Sequence, residues 1–159
     1  MTIAKAIANL WGLLAHNSAM AESSIAKAYR WSETIDIAAS GTTAGTDTLA
    51  LTLNQNTRVV GADFTIDGTT LASNATNYAS VLLYAASSDG GVTTSLVASI
   101  SNATVAITNG VARAMTLTAA NVERTVKETL RYHVTKNDTT TTGLAVSAGK
   151  ITVRLEELD

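Results

Sequence analysis

The stretch Val59–Gly68, VVGADFTIDG, decides how this chain is read. Val60, Ala62, Phe64 and Ile66 recur at every second position, Val59, Gly61, Asp63 and Thr65 fill the alternate ones, and Asp67-Gly68 closes the run as a turn. A period of two sends successive side chains to opposite faces of a sheet, so Val60, Ala62, Phe64 and Ile66 are the expected inward row of a half-buried strand. The same texture repeats outward from it. Upstream, Ile35 and Ile37 alternate with Thr34 and Asp36, and Leu49, Leu51 and Leu53 alternate with Thr48, Ala50 and Thr52. Downstream come Leu96, Ala98 and Ile100, then Val105 and Ile107, then Leu130, Tyr132 and Val134, and finally Ile151, Val153 and Leu155. Tyr78 to Ala85 is apolar on both faces, as a central strand or a subunit contact would be.

Punctuation between these rows is equally regular. Asp89-Gly90-Gly91 marks a turn, and Asn109-Gly110 is the strongest hairpin signal, with Val111, Met115 and Leu117 expected to answer Val105 and Ile107 across it. Ala119 to Val122 fits a single helical turn, while SGTTAG (40–45) and NDTTTTG (137–143) read as loops. About eight or nine short strands at this spacing predict a mostly β protein, an antiparallel β-sandwich of jelly-roll-like form, over residues 33–159. Composition agrees: roughly one residue in six is the β-branched threonine. Proline is absent, so edge strands must be protected by bulges, charges or partner subunits.

Residues 1–32 have a different texture. Ile3, Ile7, Leu10, Trp11 and Leu14 form one stripe of a helix, and Ala19–Trp31 is rich in helix formers, which predicts an N-terminal helical arm. Lys5, the apolar run Ala6–Ala15 and Ala19-Met20-Ala21 together imitate a secretory signal. The run is too short to span a bilayer, which needs about 20 residues; it is read as an ordered arm, and no membrane partner is expected. Its apolar stripe needs a partner, either the domain's own core or another chain. Ile3, Ile7, Leu10, Trp11 and Leu14 are the expected partner-contact residues, with Trp11 as the anchor a pocket would bury.

Chemistry is sparsely represented. Without cysteine there is no disulfide, thiolate nucleophile or cysteine-ligated metal. The two histidines, His16 and His133, fall far apart in the sequence, and His133 lies on the row opposite Leu130, Tyr132 and Val134, so neither a metal site nor a catalytic base is expected. Glu123, Glu128, Glu156 and Glu157 could supply a carboxylate pair, and Asp63, Asp67, Asp89 and Asp138 sit near turns where calcium ligands gather, but neither set has a motif's spacing. Tyr29, Tyr78, Tyr84 and Tyr132 are the available aromatic platform for a sugar. Eleven basic and thirteen acidic residues, with no basic run, argue against nucleic acid. Sequons occur at Asn74, Asn102 and Asn137, as a threonine-rich chain produces by accident. The expected protein is therefore not an enzyme and carries no cofactor.

RVVGADFTIDG (58–68), NYASVLLYAASSDGG (77–91), AMTLTAANVERTVKETLRYHVTKN (114–137) and KITVRLEE (150–157) resemble the successive sandwich strands of decoration, cement or head-fibre proteins of tailed bacteriophages. One departure is Lys127-Glu128, which stands where many such proteins carry glycine-aspartate before the penultimate strand. The resemblance implies a homotrimer made in the host cytoplasm and seated on the capsid exterior, contacting the major capsid protein or another virion protein and stabilising the head shell. The runner-up reading is a carbohydrate-binding or adhesion module of a phage fibre or bacterial surface.

Overall fold

The computed structural model describes residues 29–40, 48–86, 94–137 and 144–158. Ten strands run in order: β1 (Arg30–Ile37), β2 (Thr48–Thr52), β3 (Thr57–Ile66), β4 (Tyr78–Ala86), β5 (Thr94–Ser101), β6 (Arg113–Ala114), β7 (Thr116–Leu117), β8 (Glu123–Arg124), β9 (Thr129–Asn137) and β10 (Gly149–Glu157). One sheet has the order β1-β10-β3-β6, with β8 also on β3; the other has β2-β9-β4-β5-β7. Every strand pairing is antiparallel. The pairings nest: β1 with β10, β2 with β9, β3 with β6 and β4 with β5, assigned alternately to the first and second sheet.

The inner rows of both sheets form one apolar cluster. Ile35, Ile37, Val59, Ala62, Phe64, Ile66, Ile151, Val153 and Leu155 come from the first sheet, and Val81, Leu83, Ala85, Val97, Ile100, Leu130, Tyr132 and Val134 from the second. Fully burying each large apolar side chain is worth about 1.5–3 kcal/mol, so this interdigitated layer holds the sheets together. The 113–117 segment serves both sheets. β6 pairs with β3, β7 pairs with β5, and between them Met115 is buried with its N–H donating to the Ala62 carbonyl at 2.8 Å. A 3₁₀ turn at Ala119–Asn121 meets the expected single turn.

Several expectations are corrected. Val59, not Val60, faces inward at the start of β3, because Arg154 pairs with Gly61 while Leu155 pairs with Val59. Val60 is thus the extra residue of a bulge, and one extra residue reverses the alternation. In β5 a register shift opposite Leu83 and Tyr84 buries Val97 and Ala98 and turns Leu96 away from the core. Asn109-Gly110 forms a turn, with Gly110 at φ 70°, but no hairpin. Ile107 bridges Leu71, Val105 is exposed, and the residues after the turn pair with β3 and β5. Asn109 instead ties two turns together: its Oδ1 accepts the Gly68 N–H at 2.8 Å, and its N–H donates to Thr70 Oγ1 at 3.0 Å. Arg30, Trp31 and Ser32 belong to β1 and not to a helical stretch; Trp31 lies opposite Leu155. The Asp89-Gly90-Gly91 turn and most of the two polar loops lie outside the described residues.

Candidate functional site

The expected contact residues Ile3, Ile7, Leu10, Trp11 and Leu14 lie outside the described residues, as does His16. The sites that can be built are therefore the two outer faces of the sandwich and its open edge.

The outer face of the first sheet is a charge ladder. Its outward positions carry Arg30, Arg58, Lys150 and Arg154 against Asp36, Asp63, Glu123 and Glu156, and the register sets opposite charges side by side. Arg30 Nη2 lies 3.0 Å from Glu156 Oε2, and Arg58 Nη2 lies 2.6 Å from Glu123 Oε1. Hydrogen bonding to Glu123 holds the Arg58 guanidinium protonated above its ordinary range. Arg154 lies over Gly61, where a side chain would displace it, and pairs with Asp63. These exposed pairs add little stability. Their effect is to leave the face balanced in charge.

The outer face of the second sheet is built differently. Cross-strand rows set Thr135, Ser80 and Ser101 side by side, then His133, Leu82, Ser99 and Thr116, then Arg131, Tyr84 and Leu96. No carboxylate occupies the outward positions of β4, β5, β7 and β9. A shallow groove of about 350 Å³ runs along β5, with Leu82, Leu96, Ser99 and Thr116 on its walls. Apart from Arg131 and Arg113, such a face exchanges water for protein at low cost, since it buries mainly hydroxyl and apolar groups.

Among the described residues, β1 and β2 are each paired on one side only within their sheets, and an edge lies between them. A cleft of about 230 Å³ opens there, reached by Tyr29, Trp31 and Glu33 from one side and by Leu51 to Gln55 from the other.

Among the described residues the chemistry-bearing side chains do not converge elsewhere. Among the described residues there is no group of three histidines, cysteines or carboxylates placed to hold a metal. Glu123, Glu128 and Glu156 pair with Arg58, Arg124 and Arg30, and the Thr125 N–H also donates to Glu128 Oε2 at 2.8 Å. Asp63 is paired with Arg154, Asp67 is exposed in its turn, and Asp89 and Asp138 lie outside the described residues. His133 points outward from β9 opposite Leu82. Of the four tyrosines, Tyr132 is a core residue whose hydroxyl accepts the Ala38 N–H at 3.3 Å, Tyr78 and Tyr84 face outward on β4, and Tyr29 stands at the cleft. The sequon at Asn102 is a buried structural amide, 1% exposed, so a glycan cannot be carried there in this fold. Among the described residues no helix is long and apolar enough to cross a membrane.

No protein-family model and no curated protein sequence matches the chain. Among solved structures, one described as Desmodium yellow mottle tymovirus superposes over 81% of this chain and 79% of its own, at 13% identity and a TM-score of 0.29. An overlap this loose defines neither a shared architecture nor a shared role.

Proposed function

We propose that this chain is a structural virion protein: a capsid decoration or cement protein that binds a phage head shell from outside and stabilises it through self-association and arm docking. We read the nested strand pairing as a jelly roll, an architecture used by capsid proteins and lectins alike. Fold alone leaves function open. The observation that carries the proposal is the contrast between faces: one sheet is covered by neutralised ion pairs, the other by mainly hydroxyl and apolar rows that include Arg131 and His133 but no carboxylate. That asymmetry suits a protein with one face toward water and one toward a neighbouring copy, and the resemblance of its strand sequences to those of phage decoration proteins points the same way. On a symmetric lattice many modest contacts act together, so no single strong site is required.

In this reading the second sheet's outer face makes the homotrimer, and Ile3, Ile7, Leu10, Trp11 and Leu14 dock the arm on the major capsid protein or another virion protein. The test is the mass of the full chain in solution, by native mass spectrometry and sedimentation. A trimer is expected. Leu82→Glu, which puts a carboxylate on the face that lacks one, should yield a folded monomer. Trp11→Ala should weaken docking or self-association while leaving the sandwich folded. A wild-type chain that stays monomeric at every concentration overturns self-association; a Trp11→Ala chain that assembles and binds like the parent overturns the arm's role.

A further inference from the structure

We propose that the cleft between β1 and β2 is a saccharide subsite that holds one neutral pyranose ring of an oligosaccharide. The inference goes beyond the virion reading and stands independently of it. Tyr29 and Trp31 stack with ring centroids 5.6 Å apart and planes inclined by 28°, and Tyr29 is 65% exposed. Trp31 is half-buried against the core and supports the exposed Tyr29 ring, which offers a π-face to whatever enters the cleft. The floor is apolar, made by the buried Leu53 and Leu155. Glu33, two positions beyond Trp31 on the same row of β1, faces Asn54 and Gln55 across the opening. Among the described residues, the carboxylate of Glu33 and the amides of Asn54 and Gln55 make no hydrogen bond or ion pair.

Each part of this arrangement answers one part of a sugar. A pyranose has an apolar C–H face and a rim of hydroxyls that both donate and accept. Aromatic rings take the first, and planar carboxylate and amide groups, with acceptors and donors in fixed geometry, take the second. The volume of about 230 Å³ falls below that of a drug-sized pocket, which starts at about 300 Å³, and suits a single ring. Glu33 is the one carboxylate of the lining, so the pair needed to hydrolyse a glycosidic bond is missing from it and the site binds without cleaving.

The walls are also held in place. The Leu53 N–H donates to the Glu128 carbonyl at 2.9 Å and the Leu53 carbonyl accepts from Lys127 at 2.8 Å. Asn56 accepts from Val126 through Oδ1 at 3.0 Å and from Leu158 through its carbonyl at 3.0 Å. On the other wall the Tyr29 carbonyl accepts from Glu157 at 2.9 Å. A loop pinned at both ends presents Asn54 and Gln55 with little ordering left to lose on binding.

The experiment is an NMR titration of the ¹⁵N-labelled full chain with methyl glycosides of glucose, galactose and N-acetylglucosamine and with their short oligomers, the oligomeric state being measured on the same samples. At least one series should give saturable shifts at the Trp31 indole N–H and the Asn54 and Gln55 side-chain amides, with a dissociation constant on the order of 1 mM. Tyr29→Ala, which removes an exposed ring, and Glu33→Gln should each weaken binding by about tenfold with the rest of the spectrum unchanged. The proposal fails if no probe gives a saturable shift, if binding is unaltered in both variants, or if the free chain shows residues 3–14 already seated on Trp31 and undisplaced by sugar. A trimer that binds no sugar refutes this inference alone, and a monomer that binds sugar refutes only self-association.

Discussion

Replacing Asn102 with alanine removes a side chain that closes the end of the sandwich beyond β5. Its Oδ1 accepts the Ala79 N–H at 2.7 Å, its Nδ2 donates to the Ala72 carbonyl at 2.7 Å, and its main chain bonds Ala79 and Asn74. In Asn102→Ala the buried Ala79 N–H loses its acceptor, which costs about 1–3 kcal/mol. The Ala72 carbonyl belongs to an exposed residue and rehydrates, so its lost bond costs about 0.5–1.5 kcal/mol. The sum, about 1.5–4.5 kcal/mol, is measured by urea denaturation of the full chain at constant m, with faster amide exchange at Ala79 as the local signature. Asn102→Asp adds a second reading. It keeps the acceptor but sets a buried carboxylate against the Ala72 carbonyl, and burial raises that carboxyl's pKa in the folded state. The folded chain then binds the proton more tightly than the unfolded one, so stability falls as pH rises from about 3.9 toward the folded value. At pH 4 the protonated variant should approach wild type, and at pH 7 it should resemble Asn102→Ala. A loss below about 1 kcal/mol in Asn102→Ala, or an Asn102→Asp deficit that ignores pH, would refute the reasoning.

Two further outcomes concern the backbone. At Gly149 an added Cβ would stand 2.6 Å from the Thr65 carbonyl and 2.8 Å from the Phe64 ring, neither of which can retreat, so Gly149→Ala should cost about 2–3 kcal/mol. Gly61→Ala meets only the end of the Arg154 side chain, which can swing away from Asp63, and should cost about 0–1 kcal/mol; thermal unfolding that ranks the two the other way round contradicts the packing argument. Lys127 sits at φ 71°, the left-handed region that penalises a Cβ by about 1–2 kcal/mol. After glycine's extra unfolded-state entropy of about 0.5–1 kcal/mol is subtracted, Lys127→Gly should gain about 0.5 kcal/mol, and Lys127→Val should lose stability in the same urea assay.

Much of the sandwich was legible in the order of residues, because a strand's alternation is a local property. Ile35 and Ile37, Ile151 to Leu155, and Leu130 to Val134 face the core as their period of two requires, and the Ala119 turn and the central place of β4 follow from equally local signals. Lys127 adopts the left-handed region at φ 71° without the glycine that would announce such a turn in the sequence. Alternation read straight through Val60 and Leu96 assigned the wrong faces, since a bulge is defined against the partner strand and leaves no trace in one strand's own pattern.

The amino-acid order by itself determined that this chain makes half-buried strands and where most of them lie. Only the tertiary structure decided which strand pairs with which, that Asn109 serves Gly68 and Thr70 and does not close a hairpin, and that Trp31 leaves the N-terminal segment to meet Leu155 and open a cleft toward Gln55. Alternation is set by neighbours along the chain, whereas register, bulges and clefts arise from hydrogen bonds and packing between segments up to 126 residues apart, as in Arg30 and Glu156.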